Sequence, residues 1–255
     1  MSIHINLELT DHCNIKCKMC SQSMRDEAHG APMTFMDWGT WVKSINDLAE
    51  LQEQVHLCPH WLGEPTIHPH FDRFVEYAFA QNTQNRLFHE FKLHTNGVVF
   101  SEQRSRLLLH LANLNHQHEA TFRFIHFSID AFSRDVYQEV KGADRQDQVY
   151  RNIERFLELR ASLGYRFPLV TLAFVVQPEN ADEALSFNQH WSSILKQYDL
   201  PIKRTTDWPS IECDTLYFRR LNCGDQQASD RLHATVAHRL GLIKAGESLR
   251  ASESF

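Results

Sequence analysis

The spacing of apolar and polar positions along the chain switches repeatedly between the two-residue alternation of a strand and the three-and-four spacing of a helix. Ile3 to Leu9 alternates and stops at Thr10-Asp11. Over Thr34 to Leu51, Trp38, Trp41, Val42, Ile45 and Leu48 fall on one helical face, and Thr34 with Asp37 offers an N-terminal cap. The pattern repeats. A strand over Val55 to Leu62 precedes a helix from about Pro69 to Ala80, and a strand over Phe88 to His94 precedes a helix over Ser101 to Leu111. Thr121 to Ile129 reads as a fourth strand, followed by a helical face of Val149, Ile153, Phe156, Leu157 and Leu163 that ends at Gly164. Pro168 to Val176 is a fifth strand. Asn180 and Glu183 have the spacing of a cap for a helix running to about Gln197. Thr215 to Arg219 is a weaker sixth strand, and Leu232, Val236 and Leu240 line a last helix ending near Gly241. Alternating strands and helices of this kind predict an α/β fold with a mostly parallel sheet. Residues 1–243 are expected to form a single core domain, with residues 244–255 as a tail.

Composition narrows the class. Hydrophobic residues at 42% and charged residues at 23% suit a folded globular chain rather than a disordered one. No apolar run reaches the roughly 18 residues of a membrane span, so no membrane association is expected. The opening MSIHINLELT lacks a basic segment followed by an apolar one, which leads to an expected cytoplasmic location. A net charge of −6 without a basic block gives no reason to expect nucleic-acid binding.

The cysteines carry the chemistry. Cys58, Cys213 and Cys223 are isolated, whereas Cys13, Cys17 and Cys20 lie within eight residues, after the first strand and before the first helix. A disulfide framework spreads its cysteines, and a tight trio reads better as thiolates gathered on a metal. In a parallel α/β barrel that loop lies on the C-terminal rim, where sites are built. Thiolates suit iron–sulfur clusters and zinc. A four-iron cluster held by three cysteines keeps one iron open for catalysis; a zinc site would need His12 or a distant histidine as fourth ligand.

The spacing C-x3-C-x2-C at Cys13, Cys17 and Cys20 resembles the signature of radical S-adenosylmethionine (radical SAM) enzymes. Leu62-Gly63-Glu64-Pro65 resembles that family's G-G-E-P motif, with Leu62 in place of the first glycine. Thr95-Asn96-Gly97 resembles its T-N-G, and Ser128-Ile129-Asp130 its S-x-D segment. Each stands at the end of a successive predicted strand. The resemblance covers about Ile3 to Asn180 and is nearest to the branch that carries SPASM or twitch extensions. It implies a partial (β/α)6 barrel, TIM-like and open on one side. It implies a [4Fe–4S] cluster on the three cysteines and S-adenosylmethionine on its open iron. Gly63, Glu64 and Pro65 would hold the methionine amino group, Ser128 and Asp130 the ribose and methionine parts, and Met19 would lie against adenine, with Asn96 in the same set. Lys141 or Arg145 could reach the methionine carboxylate, although both are expected to be solvent-exposed.

The implied activity is cleavage of S-adenosylmethionine to a 5′-deoxyadenosyl radical that abstracts hydrogen from a small-molecule or peptide substrate, with sugars and nucleosides among the candidates. The electron would come from a cytosolic donor such as flavodoxin or ferredoxin. The alternative is a non-catalytic iron–sulfur or zinc scaffold on the same fold. Cys213 and Cys223, ten residues apart, cannot alone hold the auxiliary cluster of a SPASM domain and are expected to be free thiols, and Cys58 a buried apolar filler. Either His60 or Trp61 is expected to face the barrel interior; His60 reads first as a satisfied core or surface histidine and, as the alternative, as a substrate contact. His68, His70, His110, His116 and His118 are expected to be solvated loop positions.

Overall fold

The computed structural model describes residues 2–23, 34–51, 53–114, 121–198, 201–209 and 212–243. The expected tail, with His116 and His118, lies outside the described residues. Seven parallel strands form one sheet: β1 (Ser2–Asn6), β2 (Gln54–Cys58), β3 (Glu90–Thr95), β4 (Phe122–Ser128), β5 (Leu169–Val176), β6 (Ile202–Thr205) and β7 (Asp214–Arg220), in the order β1-β2-β3-β4-β5-β7-β6. The helices are α1 (Trp38–Asp47), α2 (Phe71–Asn85), α3 (Glu102–Ala112), α4 (Arg134–Lys141), α5 (Gln146–Ser162), α6 (Ala184–Leu195) and α7 (Gln226–Arg239). The sheet ends at two edges and does not close, so the expected open partial barrel holds. It carries one more strand than the six expected. β6 has four residues, two of them exposed cations, too short and too polar for its period to show.

Several boundaries move for physical reasons. Thr34 does not cap α1; Asp37 does, its Oδ1 accepting from Thr40 N at 2.9 Å, while the Thr34 carbonyl accepts from Thr10 Oγ1 at 2.6 Å. β2 stops at Cys58, where its ladder with β1 ends, and beyond it the N–H groups of Leu62 and Gly63 go to a side chain, Glu8. The expected capping pair at Asn180 and Glu183 does not cap α6. Asn180 Nδ2 donates to the carbonyls of Asp130 (2.7 Å) and Val175 (2.8 Å), and the Glu183 carboxylate accepts from Phe132 N. α4 was not foreseen at all.

The two faces of the sheet differ in kind. Val55, Leu57, Phe91, Leu93, Ile125, Phe127, Leu172, Phe174, Leu216 and Phe218 are buried and belong to the main core. Alternation turns the other residues of each strand to the opposite, concave face, and these are largely polar: His4, His56, Glu90, Lys92, His94, His126, Thr171, Thr215 and Tyr217. At the N-terminal end of β7 a second buried polar group supports the frame. Arg160 and Asp214, each with 1% of its side chain exposed, form a two-pronged ion pair, and Asp214 Oδ1 also accepts from Val170 N at 2.8 Å.

The polar concave face should make the fold acid-sensitive. Burial lowers His126 to about 3, with Arg219 adding to the effect. An unfolded histidine protonates near 6.5, so below that pH the unfolded chain binds a proton that the folded one refuses. This contribution is absent above pH 6.5 and costs stability progressively as pH falls towards 3. At His126 the loss should approach about 1.4 kcal/mol per pH unit. Urea unfolding at pH 7 and pH 5 should show it, with a smaller decline in His126→Phe.

Candidate functional site

The loop after β1 carries Cys13, Cys17 and Cys20, all free and half-buried. It is clamped from both sides through its backbone. Glu64 N donates to the His12 carbonyl at 2.7 Å, and Lys18 N donates to the Val140 carbonyl of α4 at 2.9 Å. Two glycines make these approaches possible. A Cβ on Gly63 would stand 2.0 Å from the Thr10 carbonyl oxygen, and one on Gly142, at φ +65°, 2.3 Å from that of Lys16. Glu8 secures the turn at Gly63: its Oε1 accepts from Leu62 N and Gly63 N, both at 2.7 Å. That anchor is in place at the turn where Leu62 stands in place of the motif's first glycine.

Glu64 is buried and polar contacts surround it. Oε1 accepts from Thr66 N (3.0 Å), Thr66 Oγ1 (2.6 Å) and Thr95 Oγ1 (2.8 Å), and Oε2 accepts from Asn96 N at 2.7 Å. Burial raises its pKa and the hydrogen bonds oppose that rise. Thr95 and Asn96 therefore tie the end of β3 to the turn after β2. Asn96 also reaches the loop, with Nδ2 2.7 Å from Asn14 Oδ1 and 3.5 Å from Cys13 Sγ. Pro65 opens a single 3-10 turn capped by Glu64.

The third support comes from the end of β4. Ser128 is its last residue and half-buried; Asp130 lies beyond it at φ +64°. Two residues apart on one strand the pair would share a face, but Asp130 lies past the strand end and they do not. Asp130 Oδ1 accepts from Val175 N at 2.8 Å and its Oδ2 pairs with Lys141 Nζ at 2.6 Å. Lys141, expected at the surface, has 2% of its side chain exposed and also donates to the Ser128 carbonyl at 2.9 Å. Burial alone would lower the Lys141 pKa, but the Asp130 charge outweighs it and holds the group above its usual range, as an ammonium. That ammonium lies near enough to Cys17 for its charge to favour the thiolate.

The thiols of Cys13 and Cys17 favour the protonated form. Burial pushes Cys13 up to about 12, with the Glu64 charge adding to it, and burial also raises Cys17 against the pull of Lys141. A metal binding here must displace those protons. Among the described residues, no three His, Cys, Asp or Glu side chains converge closely enough to hold one metal ion. His12 is engaged by Asp11, Nδ1 to Oδ1 at 2.6 Å. This geometry disfavours a single zinc with His12. A four-iron cluster takes each thiolate on a separate iron, so it needs three thiols on one short loop rather than one point of convergence. The donor set fits that group.

Other expectations divide. His60 turns toward the concave face, 5.6 Å from His94, whereas Trp61 is 58% exposed. His68 is buried rather than solvated, its Nε2 at 2.9 Å from the Met36 carbonyl, while His70 and His110 are exposed. Met19 is half-buried. Cys58 closes β2 and is only half-buried as a residue, yet burial of its thiol raises it to about 12. Cys213 and Cys223 flank the seven residues of β7. They are separated by roughly 20 Å of strand, too far for one metal. Glu8 was missed because it belongs to no motif; the only hint is an acid at the end of an apolar run.

Replacing Gly63 by Ala should displace the Thr10 and His12 carbonyls. Purified Gly63→Ala should take up less than about a fifth of the wild-type iron and sulfide on anaerobic reconstitution. The turn is buried but lies outside the main apolar core, so the loss of thermal stability should be about 1–3 kcal/mol.

A family model described as the radical SAM superfamily matches residues 7–187. Among characterised relatives, the tungsten-containing aldehyde ferredoxin oxidoreductase cofactor-modifying protein of Pyrococcus furiosus is 24% identical over 177 residues, 69% of this chain and 44% of that protein. The GTP 3′,8-cyclase of Desulforamulus reducens is 23% identical over 158 residues, 61% of this chain and 43% of the cyclase. The chain thus spans less than half the length of these relatives. In structure it is similar to anSMEcpe with bound AdoMet (S-adenosylmethionine), with a TM-score of 0.56 and 17% identity over 86% of this chain and 51% of that one. It is also similar to HydG, a maturase of the [FeFe]-hydrogenase, with a TM-score of 0.55 and 10% identity over 93% and 50% of the two chains. These likenesses are of fold. The superfamily uses a [4Fe–4S] cluster and S-adenosylmethionine. The match runs through the cysteine loop and the ends of β2, β3 and β4 and covers more than half of the chain, which belongs to the radical SAM superfamily.

Proposed function

We propose that this chain is a radical enzyme in which Cys13, Cys17 and Cys20 hold a [4Fe–4S] cluster and the ends of β2, β3 and β4 hold S-adenosylmethionine. When bound, the pair supplies one-electron cleavage of the sulfonium to methionine and a 5′-deoxyadenosyl radical, which takes a hydrogen atom from the substrate. The observation that carries the reading is the convergence on one loop of three strand ends. Glu64 and Asn96 stand behind Cys13, and the Asp130–Lys141 pair stands behind Cys17.

The chain's own groups then divide the work. Glu64 Oε2 accepts from a single described donor, Asn96 N, and keeps acceptor capacity for the amino group of the cofactor. Gly63 and Pro65 shape that turn. Asn96 orients Cys13. Both Asp130 oxygens are engaged, so Asp130 acts as a positioning residue, fixing Lys141 beside Cys17 and the end of β4 beneath the ligand. Ser128, half-buried at the same end, and Met19, one residue before Cys20, are the contacts for the ribose and the adenine. Lys141 favours the thiolate of Cys17 over the thiol. The substrate class includes small molecules and peptides, and the reducing electron comes from a protein donor of the flavodoxin or ferredoxin type. The core is proposed to run over residues 1–243. No helix among the described residues is long and apolar enough to cross a membrane.

The test is release of 5′-deoxyadenosine from the reconstituted, reduced protein with S-adenosylmethionine. Wild type should release it and Cys17→Ala should fall to background, a loss of at least about a hundredfold. Release that survives Cys17→Ala would refute the assignment, and a colourless protein holding one zinc would favour the scaffold reading.

A further inference from the structure

The concave face carries chemistry that cofactor binding leaves unused. His94 and His126 are register partners on β3 and β4, with rings stacked at 4.6 Å. His60 lies 5.6 Å from His94, and Tyr217 of β7 meets His126 edge-on at 6.2 Å. Nδ1 of His126, a residue only 6% exposed, and Nδ1 of His60 are buried without a hydrogen-bond partner among the described residues. Unpaired buried nitrogens cost stability and are uncommon in folded proteins. Two on the same face, on rings that both neighbour His94, point to a ligand that pairs with them.

Charge identifies the class of that ligand. Arg219 stands two residues beyond Tyr217 on the same side of β7, near enough to His94 and His126 for its charge to depress both. Its side chain is exposed and forms no ion pair with any described residue. Lys92 on this face is matched by Glu90 at 3.2 Å, and Lys141 is matched by Asp130; Lys203, the register partner of Thr215, is exposed on the edge strand β6. Arg219 beside the histidines therefore carries a positive charge without a described ion-pair partner, on a guanidinium whose fork fits a carboxylate or a phosphate with two hydrogen bonds. The histidines are neutral, since burial lowers His60 to about 4 and His94 well below its usual value. Each can offer a donor or an acceptor without competing for the anion.

We infer that the substrate of this chain carries a carboxylate or phosphate held by Arg219, with its polar body hydrogen-bonded to His126 and His60. Calling the ligand a substrate rests on the radical reading above; the anion site does not.

Succinate and pyrophosphate are the probes, titrated into cluster-loaded protein saturated with S-adenosylmethionine so that the methionine carboxylate site is filled. Binding is read by calorimetry and by the ring-nitrogen signals of the histidines. At least one probe should bind below roughly 10 mM and move the His94 and His126 signals, and Arg219→Gln should weaken it by about tenfold or more. Arg239→Gln, at an exposed arginine paired with Asp182 on the outer surface, should leave binding unchanged. Succinate alone assigns a carboxylate and pyrophosphate alone a phosphate. No binding by either probe would overturn the site, as would binding unaffected by Arg219→Gln or histidine signals that do not move. Cluster content and 5′-deoxyadenosine release are measured on the same samples. Anion binding without release sustains the anion site and overturns the radical reading, and release without anion binding does the reverse.

Discussion

Lys141 is a buried ammonium, and the arrangement around the cysteine loop follows from what holds it. An unpaired charge at that depth would cost several kcal/mol, so Lys141 is tenable only beside Asp130 and the Ser128 carbonyl. Asp130 in turn keeps its place because Val175 N donates to its side chain and Asn180 to its carbonyl. The ends of β4 and β5 are thereby locked to the C-terminus of α4. The same helix end gives the loop its backbone partner at Val140 and its close approach at Gly142. One ion pair thus connects the far side of the sheet to Cys17.

Glu64 does the corresponding work on the other side. Its carboxylate is held by groups from its own turn and from the end of β3, and its backbone N–H holds His12. The two buried carboxylates, Glu64 and Asp130, do not duplicate each other. Glu64 keeps room for a further donor, whereas Asp130 is fully engaged. A site built this way is preorganised: its thiols lie on a loop whose backbone is fixed before any metal arrives, and the remaining cost of assembly is largely the removal of protons from buried thiols.

The sequence carried more of this than its low identity to relatives would suggest, because the informative residues are local. Cys13, Cys17 and Cys20 share one loop, and Gly63-Glu64-Pro65, Thr95-Asn96-Gly97 and Ser128 each mark where a parallel strand stops. What could not be read was pairwise and distant. Lys141 looks like a surface lysine on an amphipathic helix until Asp130 is brought to it by the turn after β4. Glu8 gains meaning only when Leu62 and Gly63, more than fifty residues on, present their N–H groups. Asn180 has the spacing of a helix cap and is spent on Asp130 instead. The Arg160–Asp214 pair and the short β6 likewise depend on neighbours that no local window contains.

The central claim is that three thiolates hold a four-iron cluster with one iron left for S-adenosylmethionine. Mössbauer spectroscopy of protein reconstituted with iron-57 reads this directly. One iron of the four should change its isomer shift on adding S-adenosylmethionine, with the other three unaltered. Four irons that all ignore the cofactor, or a single mononuclear iron, would contradict the account.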